Sequence, residues 1–379
     1  MRVIVIGGGV VGASAAYHLT RRGVSTTLVD RFDPGAATPA GAGVVFPWPF
    51  PGSSAAEAAF RRAAAAHYPR LMADLADDDC GPTGYAVVGG VSVGADAAAL
   101  RAEAEAMAAM AALPGHEGMG EVAFLPPGEP ARRMPVLRAE YAGVAVPGTA
   151  RVDGRLTRAA LVGAAEERAL RRRAGDAGLV TDGTRVTGVR VGGDELSADA
   201  VVVAAGAWSP GLLEPLGVRL GVRPVRGQLL HLRLPRSDTS AWPVVRAGER
   251  EHYLLAFAPD RIVAGSTREP GAGFEARTTA GAAHRLLTDA LATAPGLAAA
   301  GVVEARVGLR PEGVDGAQLL GVVDSLPGLV VATGLGSEGL TLGPYQGAVA
   351  ARLAMGEDPG LDLEPFRPDR FTETAHDPL

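Results

Sequence analysis

An unbroken run of β-branched residues opens the chain, and this pattern predicts a strand that is buried on both faces. The run covers residues 3–6 (VIVI), and it precedes a predicted helix over 13–22 and a second apolar strand over 26–29. Two more buried strands are predicted at 201–206 (VVVAAG) and 329–334 (LVVATG). Buried strands that alternate with helices favour an α/β fold of Rossmann-like architecture.

The middle of the chain has a different pattern, in which polar and apolar positions alternate. The alternating segments are 222–234 (VRPVRGQLLHLRL), 252–257 (HYLLAF) and 261–267 (RIVAGST). Such alternation is typical of an antiparallel sheet with one covered face. The other expected elements are a strand pair within 85–93, an irregular connection over 114–135, a strand over 302–309 and helices over 54–79, 95–113, 156–173, 278–294 and 340–355.

The two patterns predict two domains, which 379 residues with 47% hydrophobic content can accommodate. A nucleotide-binding domain, discontinuous in sequence, is expected from residues 1–80, 150–222 and 320–379. A second, α+β domain, built on a mainly antiparallel sheet and expected to bind the substrate, takes residues 81–149 and 223–319.

Three glycines follow the first strand in G-x-G-x-x-G order: Gly7, Gly9 and Gly12. The first allows a tight turn, the second lets a pyrophosphate approach the backbone, and the third lets the helix pack closely on the strand. The helix that follows offers its N–H groups and positive dipole end to phosphate. Asp30 ends the second strand, where a carboxylate can accept hydrogen bonds from ribose hydroxyls. This order predicts a dinucleotide site, and a glycine turn without a ligand is the alternative.

Composition excludes several classes of function. A net charge of −6 gives no basic footprint for nucleic acid. Cys80 is the only cysteine, so disulfides within the chain and multi-cysteine metal sites are excluded, and we expect no metal site. All 36 basic residues are arginine, and the absence of lysine excludes Schiff-base chemistry. The first residues show no cleavable signal pattern and no apolar run is long enough to span a membrane, which predicts a cytoplasmic location.

Several motifs, in this order along the chain, resemble the D-amino-acid oxidase family of FAD-dependent oxidoreductases, and most closely its glycine oxidase and D-amino-acid dehydrogenase members. The motifs are GGGVVGASAAYHL at 7–19, ATPAGAG at 37–43, VVVAAGAWS at 201–209, VRPVRGQ at 222–228, VGLRPEGVDGAQLLG at 307–321 and ATGLGSEGLTLGP at 332–344. The resemblance covers most of the chain and is strongest at its two ends.

The resemblance implies FAD as the cofactor, held without a covalent bond because Cys80 matches no position of a covalent flavin link. The implied cofactor-binding residues are Gly7, Gly9, Val10, Val11, Gly12, Asp30, Arg31, Ala37, Thr38, Ala42, Gly43, Val44, Gly206, Gly334, Leu335, Gly336, Ser337, Glu338, Gly339, Leu340 and Thr341. A helix that begins near Leu340 would direct its positive N-terminus at the N1–C2=O edge of the flavin, where the reduced ring carries negative charge.

Two residues are implied as catalytic. Arg310 matches the carboxylate-binding arginine of the family, and a guanidinium can hold a carboxylate through two parallel hydrogen bonds. The alternative for Arg310 is a structural ion pair. Tyr253 corresponds to a tyrosine that contacts substrate, with a buried core tyrosine as the alternative. His252 is a further candidate, but on a strand it would face away from Tyr253, so one of the two can face the pocket.

The other pocket candidates are Trp48, Phe50 and Ser337. The two aromatic residues would suit a bulky apolar substrate and would equally suit a core. Ser337 stands where some glycine-oxidase-like relatives have a second arginine, which weakens the expectation of glycine as substrate. Glu338 beside it permits an acidic wall near the substrate. Sarcosine-oxidase-like relatives use a lysine beside the flavin for reaction with oxygen, and this chain has none.

The predicted function is oxidation of the C–N bond of an amino acid or related amine, by hydride transfer to flavin N5. The product would be an imine that hydrolyses to an oxo acid, with oxygen or another molecule as electron acceptor. One alternative is a flavin-dependent tailoring enzyme of secondary metabolism that acts on a larger or N-substituted amine. An NAD-dependent dehydrogenase would share the first glycine turn. It would not explain VRPVRGQ or the glycine-rich turn at 335–341, called the closing turn, and the purified protein would be colourless.

Overall fold

A computed structural model describes residues 1–50, 52–248 and 252–371. The strands, in chain order, are β1 (Arg2–Ile6), β2 (Ser25–Asp30), β3 (Val44–Val45), β4 (Ala86–Val87), β5 (Gly90–Gly94), β6 (Ala123–Leu125), β7 (Ala142–Val146), β8 (Ala150–Arg151), β9 (Arg171–Ala174), β10 (Ala177–Thr181), β11 (Val186–Val191), β12 (Asp194–Ser197), β13 (Ala200–Val203), β14 (Val222–Arg233), β15 (Val244–Ala247), β16 (His252–Phe257), β17 (Arg261–Gly265), β18 (Glu269–Pro270), β19 (Gly301–Gly313), β20 (Leu319–Val322) and β21 (Leu329–Thr333). The α-helices are α1 (Val10–Arg21), α2 (Ala37–Ala40), α3 (Ala55–Asp77), α4 (Ala97–Ala111), α5 (Glu129–Arg133), α6 (Gly154–Glu166), α7 (Ser209–Leu213), α8 (Ala280–Thr293) and α9 (Gly339–Ala354).

The first sheet has six strands in the order β20–β21–β13–β1–β2–β9. All its pairings are parallel except that of β20 with β21. The central strand β1 is buried on both faces, because Val3 and Val5 pack in one hydrophobic cluster and Ile4 and Ile6 in another. Its strands come from separate stretches of the chain, so the prediction of a discontinuous Rossmann-like unit is confirmed.

The largest sheet has nine strands, in the order β18–β14–β17–β16–β15–β5–β7–β6, with β19 also paired to β14. Its pairings are antiparallel apart from β15 with β5. The longest ladder joins β14 to β19, from Val222 opposite Gly313 to Arg233 opposite Gly301. A mainly antiparallel second unit was predicted and is confirmed. The exact domain boundaries stay a prediction.

Two helices that pack closely together bring distant parts of the chain to one edge of the six-stranded sheet. A Cβ at Gly347 of α9 would overlap the carbonyl oxygen of Val11 in α1, so the two backbones touch. The Ser14 hydroxyl donates to the carbonyl of Pro344 at 2.6 Å. The N-termini of α1 and α9 therefore lie at one groove, which Val10 and Gly339 both line.

Three local predictions were wrong. Residues 171–173 were expected to end a helix, but α6 ends at Glu166 and the arginines form β9, an exposed edge strand paired with β2. The two strands within 85–93 do not pair, because β4 joins β8 whereas β5 joins β7 and β15. The connection over 114–135 contains β6 and α5. No helix of the described residues is both long enough and apolar enough to cross a membrane.

We expect a pH-dependent loss of stability at His231, which lies in β14 with 2% of its surface exposed. Burial, reinforced by Arg306 and Arg261, lowers the pKa of this imidazole from 6.5 to about 4. The neutral ring therefore stabilises the fold above pH 6.5, and that contribution is lost as the pH falls toward 4. Between pH 7 and pH 5, the unfolding free energy from urea titration should fall by about 2 kcal/mol more than in His231→Leu. Parallel pH profiles of the two proteins would contradict this.

Candidate active site

The first glycine turn joins β1 to α1, and two of its glycines leave no space for a side chain. Gly7 has φ +101°, and a Cβ there would overlap the carbonyl of Ala204, which follows β13. A Cβ at Gly12 would overlap the carbonyl oxygen of Gly7, so α1 lies directly against the turn. The first N–H groups of α1 have no acceptors within the helix, and the Val10 N–H donates to the Thr38 hydroxyl at 2.9 Å. This end of α1 can bind a phosphate.

Asp30 is held at the rim of the same turn by a residue that the sequence did not single out. Arg158 of α6 donates to Asp30 Oδ2 at 3.3 Å and also to the carbonyl of Gly8. Asp30 Oδ1 accepts the N–H of Phe32 at 3.1 Å. Arg31 instead pairs with Asp33 and Asp176, at 2.9 and 2.8 Å. The Asp30 carboxylate therefore lies fixed at the groove, where it can accept from a ribose.

A groove of about 760 Å³ runs from this turn across the ends of the parallel strands. Its lining includes Gly7, Gly9, Val10, Val11, Asp30, Arg31, Ala37, Thr38, Gly206, Leu335, Gly336 and Gly339. Glycine backbone, a free helix N-terminus and a carboxylate at the end of β2 are the donor and acceptor set that a dinucleotide requires. The residues present therefore fit FAD.

A second cavity, of about 640 Å³, lies against the nine-stranded sheet and shares Ala37, Thr38, Gly336 and Gly339 with the groove. Its lining includes Ala42, Gly43, Val44, Phe50, Tyr253, Arg310, Ser337, Glu338, Leu340 and Thr341. The shared wall shows that the two spaces adjoin. Gly12, Gly334, Trp48 and His252 line neither: the two glycines lie behind the turns, and the two aromatic side chains are core residues.

Arg310 projects from β19 across β14 into the second cavity. Its guanidinium donates to the Thr267 carbonyl at 3.0 Å and the Ser266 hydroxyl at 2.8 Å. No described carboxylate lies within ion-pair distance of it, which disfavours the alternative of a structural ion pair. A positive charge held by neutral groups at the wall of a cavity is suited to bind an anionic ligand.

Tyr253 lies beside Arg310 and faces the cavity, whereas His252 is buried on the other face of β16. The Tyr253 ring lies over Gly265, where a Cβ would come within 2.7 Å of the hydroxyl oxygen. Burial raises the pKa of Tyr253, and the hydrogen bond with Ser266 and the charge of Arg310 offset part of this. The phenol therefore stays protonated at neutral pH and can donate a hydrogen bond to a ligand.

The closing turn, residues 335–341, presents Ser337 and Glu338 to the cavity before α9 begins at Gly339. Arg61 of α3 donates hydrogen bonds to both Glu338 and Glu57, and it is 2% exposed. Phe50 lies over the Arg61 guanidinium at 4.7 Å. The carboxylate that could form an acidic wall therefore lines the cavity, but it is paired with a buried cation.

Of the two alternatives for Trp48, a pocket residue or a core residue, the structure favours the core residue. Trp48 is 5% exposed and packs with Met119 and Val146 in a separate hydrophobic cluster. Phe50 does line the second cavity and stacks on Phe46, with ring centroids 5.7 Å apart. The apolar end of the cavity is completed by Met107 and Met110 of α4.

The groove, the adjoining cavity and the guanidinium define an FAD-dependent oxidoreductase. The family model described as DAO, FAD dependent oxidoreductase, matches residues 2–353. The chain therefore belongs to this family, which acts on amino-acid C–N bonds with FAD, and its cofactor is FAD.

Individual relatives agree with this assignment over nearly the whole chain. The uncharacterized oxidoreductase YurR of Bacillus subtilis is 40% identical over 96% of this chain and 98% of its own length. A glycine oxidase of Pseudomonas aeruginosa is 32% identical over 97% of this chain and 98% of its own. The crystal structure of iminodiacetate oxidase (IdaA) from Chelativorans sp. BNC1 superposes with a TM-score of 0.92, at 38% identity, over 97% of this chain and 99% of that one.

Gly227→Ala is expected to displace the Arg310 guanidinium without affecting FAD. A Cβ at position 227 would overlap the guanidinium, and the flexible arginine has to move away. We expect KM for the amino-acid substrate to rise about tenfold, since a charge-assisted hydrogen bond to the substrate is worth about 1.5–3 kcal/mol. The FAD content of the purified variant should match that of wild type. An unchanged KM would show that Arg310 does not contact the substrate.

Proposed function

We propose that the protein oxidises the C–N bond of a small α-amino acid, with preference for one whose nitrogen carries a further substituent. The observation that carries this proposal is Arg310, a cation bound by neutral groups at the wall of a cavity that adjoins the FAD groove. The similarity to iminodiacetate oxidase, an enzyme named for a secondary amine, supports the preference for an N-substituted substrate.

Each residue has a defined task in this proposal. Arg310 binds the substrate carboxylate through two parallel hydrogen bonds, and the protonated Tyr253 hydroxyl donates a third. These contacts fix the position of the α-carbon relative to the groove, so the substrate binds in a defined orientation. The bound FAD supplies the hydride acceptor. Loss of hydride from a neutral amine needs no acid–base residue, and water then hydrolyses the substrate imine to an oxo acid and an amine or ammonia.

The apolar end of the cavity favours a second candidate. Phe46, Phe50, Met107 and Met110 line it, and methionine side chains adapt to substituents of varied shape. A flavin-dependent tailoring enzyme that acts on a larger N-substituted amine would use this surface. The electron acceptor, the cytoplasmic location, the non-covalent state of FAD and the absence of nucleic-acid partners stay predictions from the sequence.

The experiment is anaerobic reduction of the yellow FAD-loaded protein by a panel of amines. The panel contains glycine, D-alanine, sarcosine, iminodiacetate and an N-benzyl amino acid. We expect loss of the flavin absorbance near its long-wavelength maximum with the N-substituted glycines, and peroxide assays on readmitting air identify the acceptor. Reduction by the N-benzyl compound alone would favour the tailoring enzyme, and no reduction by any member would contradict the proposal.

A further inference from the structure

A second guanidinium faces the cavity that contains Arg310. Arg246 of β15 lies directly opposite Tyr253 of β16, and cross-strand partners share one face of a sheet. Both side chains line the second cavity, as do Ser266 and Arg310. The nine-stranded sheet therefore presents Arg310 from β19, Tyr253 from β16 and Arg246 from β15 to the same cavity.

The spacing of the two arginines follows from the sheet. The Arg310 guanidinium lies over Gly227 of β14 and bonds to residues 266 and 267, just after β17. The strands run in the order β14–β17–β16–β15, so Gly227 and Arg246 are three strand-to-strand steps apart. Three steps of about 4.8 Å make roughly 14 Å. With a carboxylate on each guanidinium, that distance leaves room for a linker of a few atoms.

The two arginines differ in how their charge is compensated. Arg246 meets Glu103 of α4, its nearest described carboxylate, at 3.4 Å, and its side chain is 64% exposed. An exposed ion pair of this length contributes little and is easily exchanged for another carboxylate. Glu338, the other acid on the cavity wall, is already bound by the buried Arg61. Arg246 therefore keeps donors that a ligand can use.

We propose that Arg246 binds a second, distal carboxylate of the substrate, so that the cavity selects amino acids with two carboxylates. Arg310 holds the carboxylate next to the reacting carbon, and Arg246 holds the one at the far end, with Glu103 orienting its guanidinium. This inference rests on the proposed function, because it takes the second cavity as the substrate site. It makes Arg246 a specificity-determining residue for that reaction.

The test compares two ethers that have no amine and cannot be oxidised. Diglycolate carries two carboxylates joined through an oxygen, and methoxyacetate carries one. Their dissociation constants are measured with the FAD-loaded protein by calorimetry and by the change in flavin absorbance. Wild type should bind diglycolate more tightly. Arg246→Met should weaken diglycolate about 10- to 100-fold and leave methoxyacetate within about twofold, because one charge-assisted contact is lost.

Controls separate direct contact from general charge. Arg101→Met removes a guanidinium from α4 that lies over Phe124 and outside the cavity, and it should leave both constants unchanged. Arg246→Lys should restore part of the preference for diglycolate. An equal effect of Arg246→Met on both ethers, or no effect on either, would overturn the role of Arg246.

Failure of the proposed function would look different. If methoxyacetate binds equally well to wild type and Arg310→Leu, or does not bind to wild type at all, the cavity is not the carboxylate site and both proposals fall. If methoxyacetate requires Arg310 while Arg246→Met keeps the full preference for diglycolate, the proposed function stands and only the distal site is wrong.

Discussion

Arg310→Leu should lower kcat/KM for the amino-acid substrate by about 10²- to 10³-fold while the protein keeps its FAD. The guanidinium is bound by the Thr267 carbonyl and the Ser266 hydroxyl, neither of which carries a positive charge that could replace it as a partner for a carboxylate. Truncating one partner of a desolvated charge pair costs about 2–5 kcal/mol, and the middle of that range corresponds to a loss of this size. Steady-state kinetics and the flavin absorbance per chain measure the two quantities.

A matched control for this variant is Arg223→Leu. Arg223 lies on the neighbouring strand β14, pairs with Glu312 and lines neither cavity. Its removal changes the net charge equally and should leave kcat/KM within about twofold. If both variants lost activity to the same extent, the effect would come from the change in net charge and not from a contact with the substrate. The assignment of Arg310 would then be wrong.

Gly12→Ala should weaken FAD binding by about 100-fold and lower the melting temperature by several degrees. The added Cβ would overlap the Gly7 carbonyl, so α1 has to move away from the turn that the cofactor needs. Overpacking at such a site costs about 1–3 kcal/mol, and here we expect the cost to fall on the backbone that would bind the pyrophosphate. The measurements are reconstitution of the apoprotein with FAD, followed by fluorescence, and thermal unfolding.

Gly281→Ala is the control for this substitution. Gly281 is also a helical glycine, in α8, but a Cβ there would meet nothing within 4 Å. Alanine has a higher helix propensity than glycine, so this variant should be as stable as wild type or slightly more stable. Unchanged FAD affinity in Gly12→Ala would mean that the turn is not the cofactor site.

Local sequence patterns were sufficient for the parts of the fold whose cause is local. The run at residues 3–6 is buried on both faces because every position is apolar. The single covered face expected for 252–257 was wrong, because Leu254 and Ala256 of β16 pack in one hydrophobic cluster and Leu255 and Phe257 in another. Residues 171–173 were misassigned because three arginines suit a helix C-terminus. Their pairing with β2 is a long-range contact, and nothing in the local sequence encodes it.

The candidate site likewise contains residues that the sequence motifs predicted and residues that they did not. The glycine turns carry motifs, so residues such as Gly7, Val10 and Gly336 were predicted and lie at the groove. Arg61, Arg158 and Arg246 were missed because every cation of this chain is an arginine, so residue type alone distinguishes none of them. Each acquires its role from a carboxylate far away in sequence, namely Glu338, Asp30 and Glu103.

The most direct test of the account is a crystal structure of the FAD-loaded protein with methoxyacetate bound. We predict that the isoalloxazine lies where the groove meets the second cavity, next to the closing turn, with the ligand carboxylate hydrogen-bonded to the Arg310 guanidinium. A flavin ring outside this junction, or a carboxylate bound away from Arg310, would contradict the account.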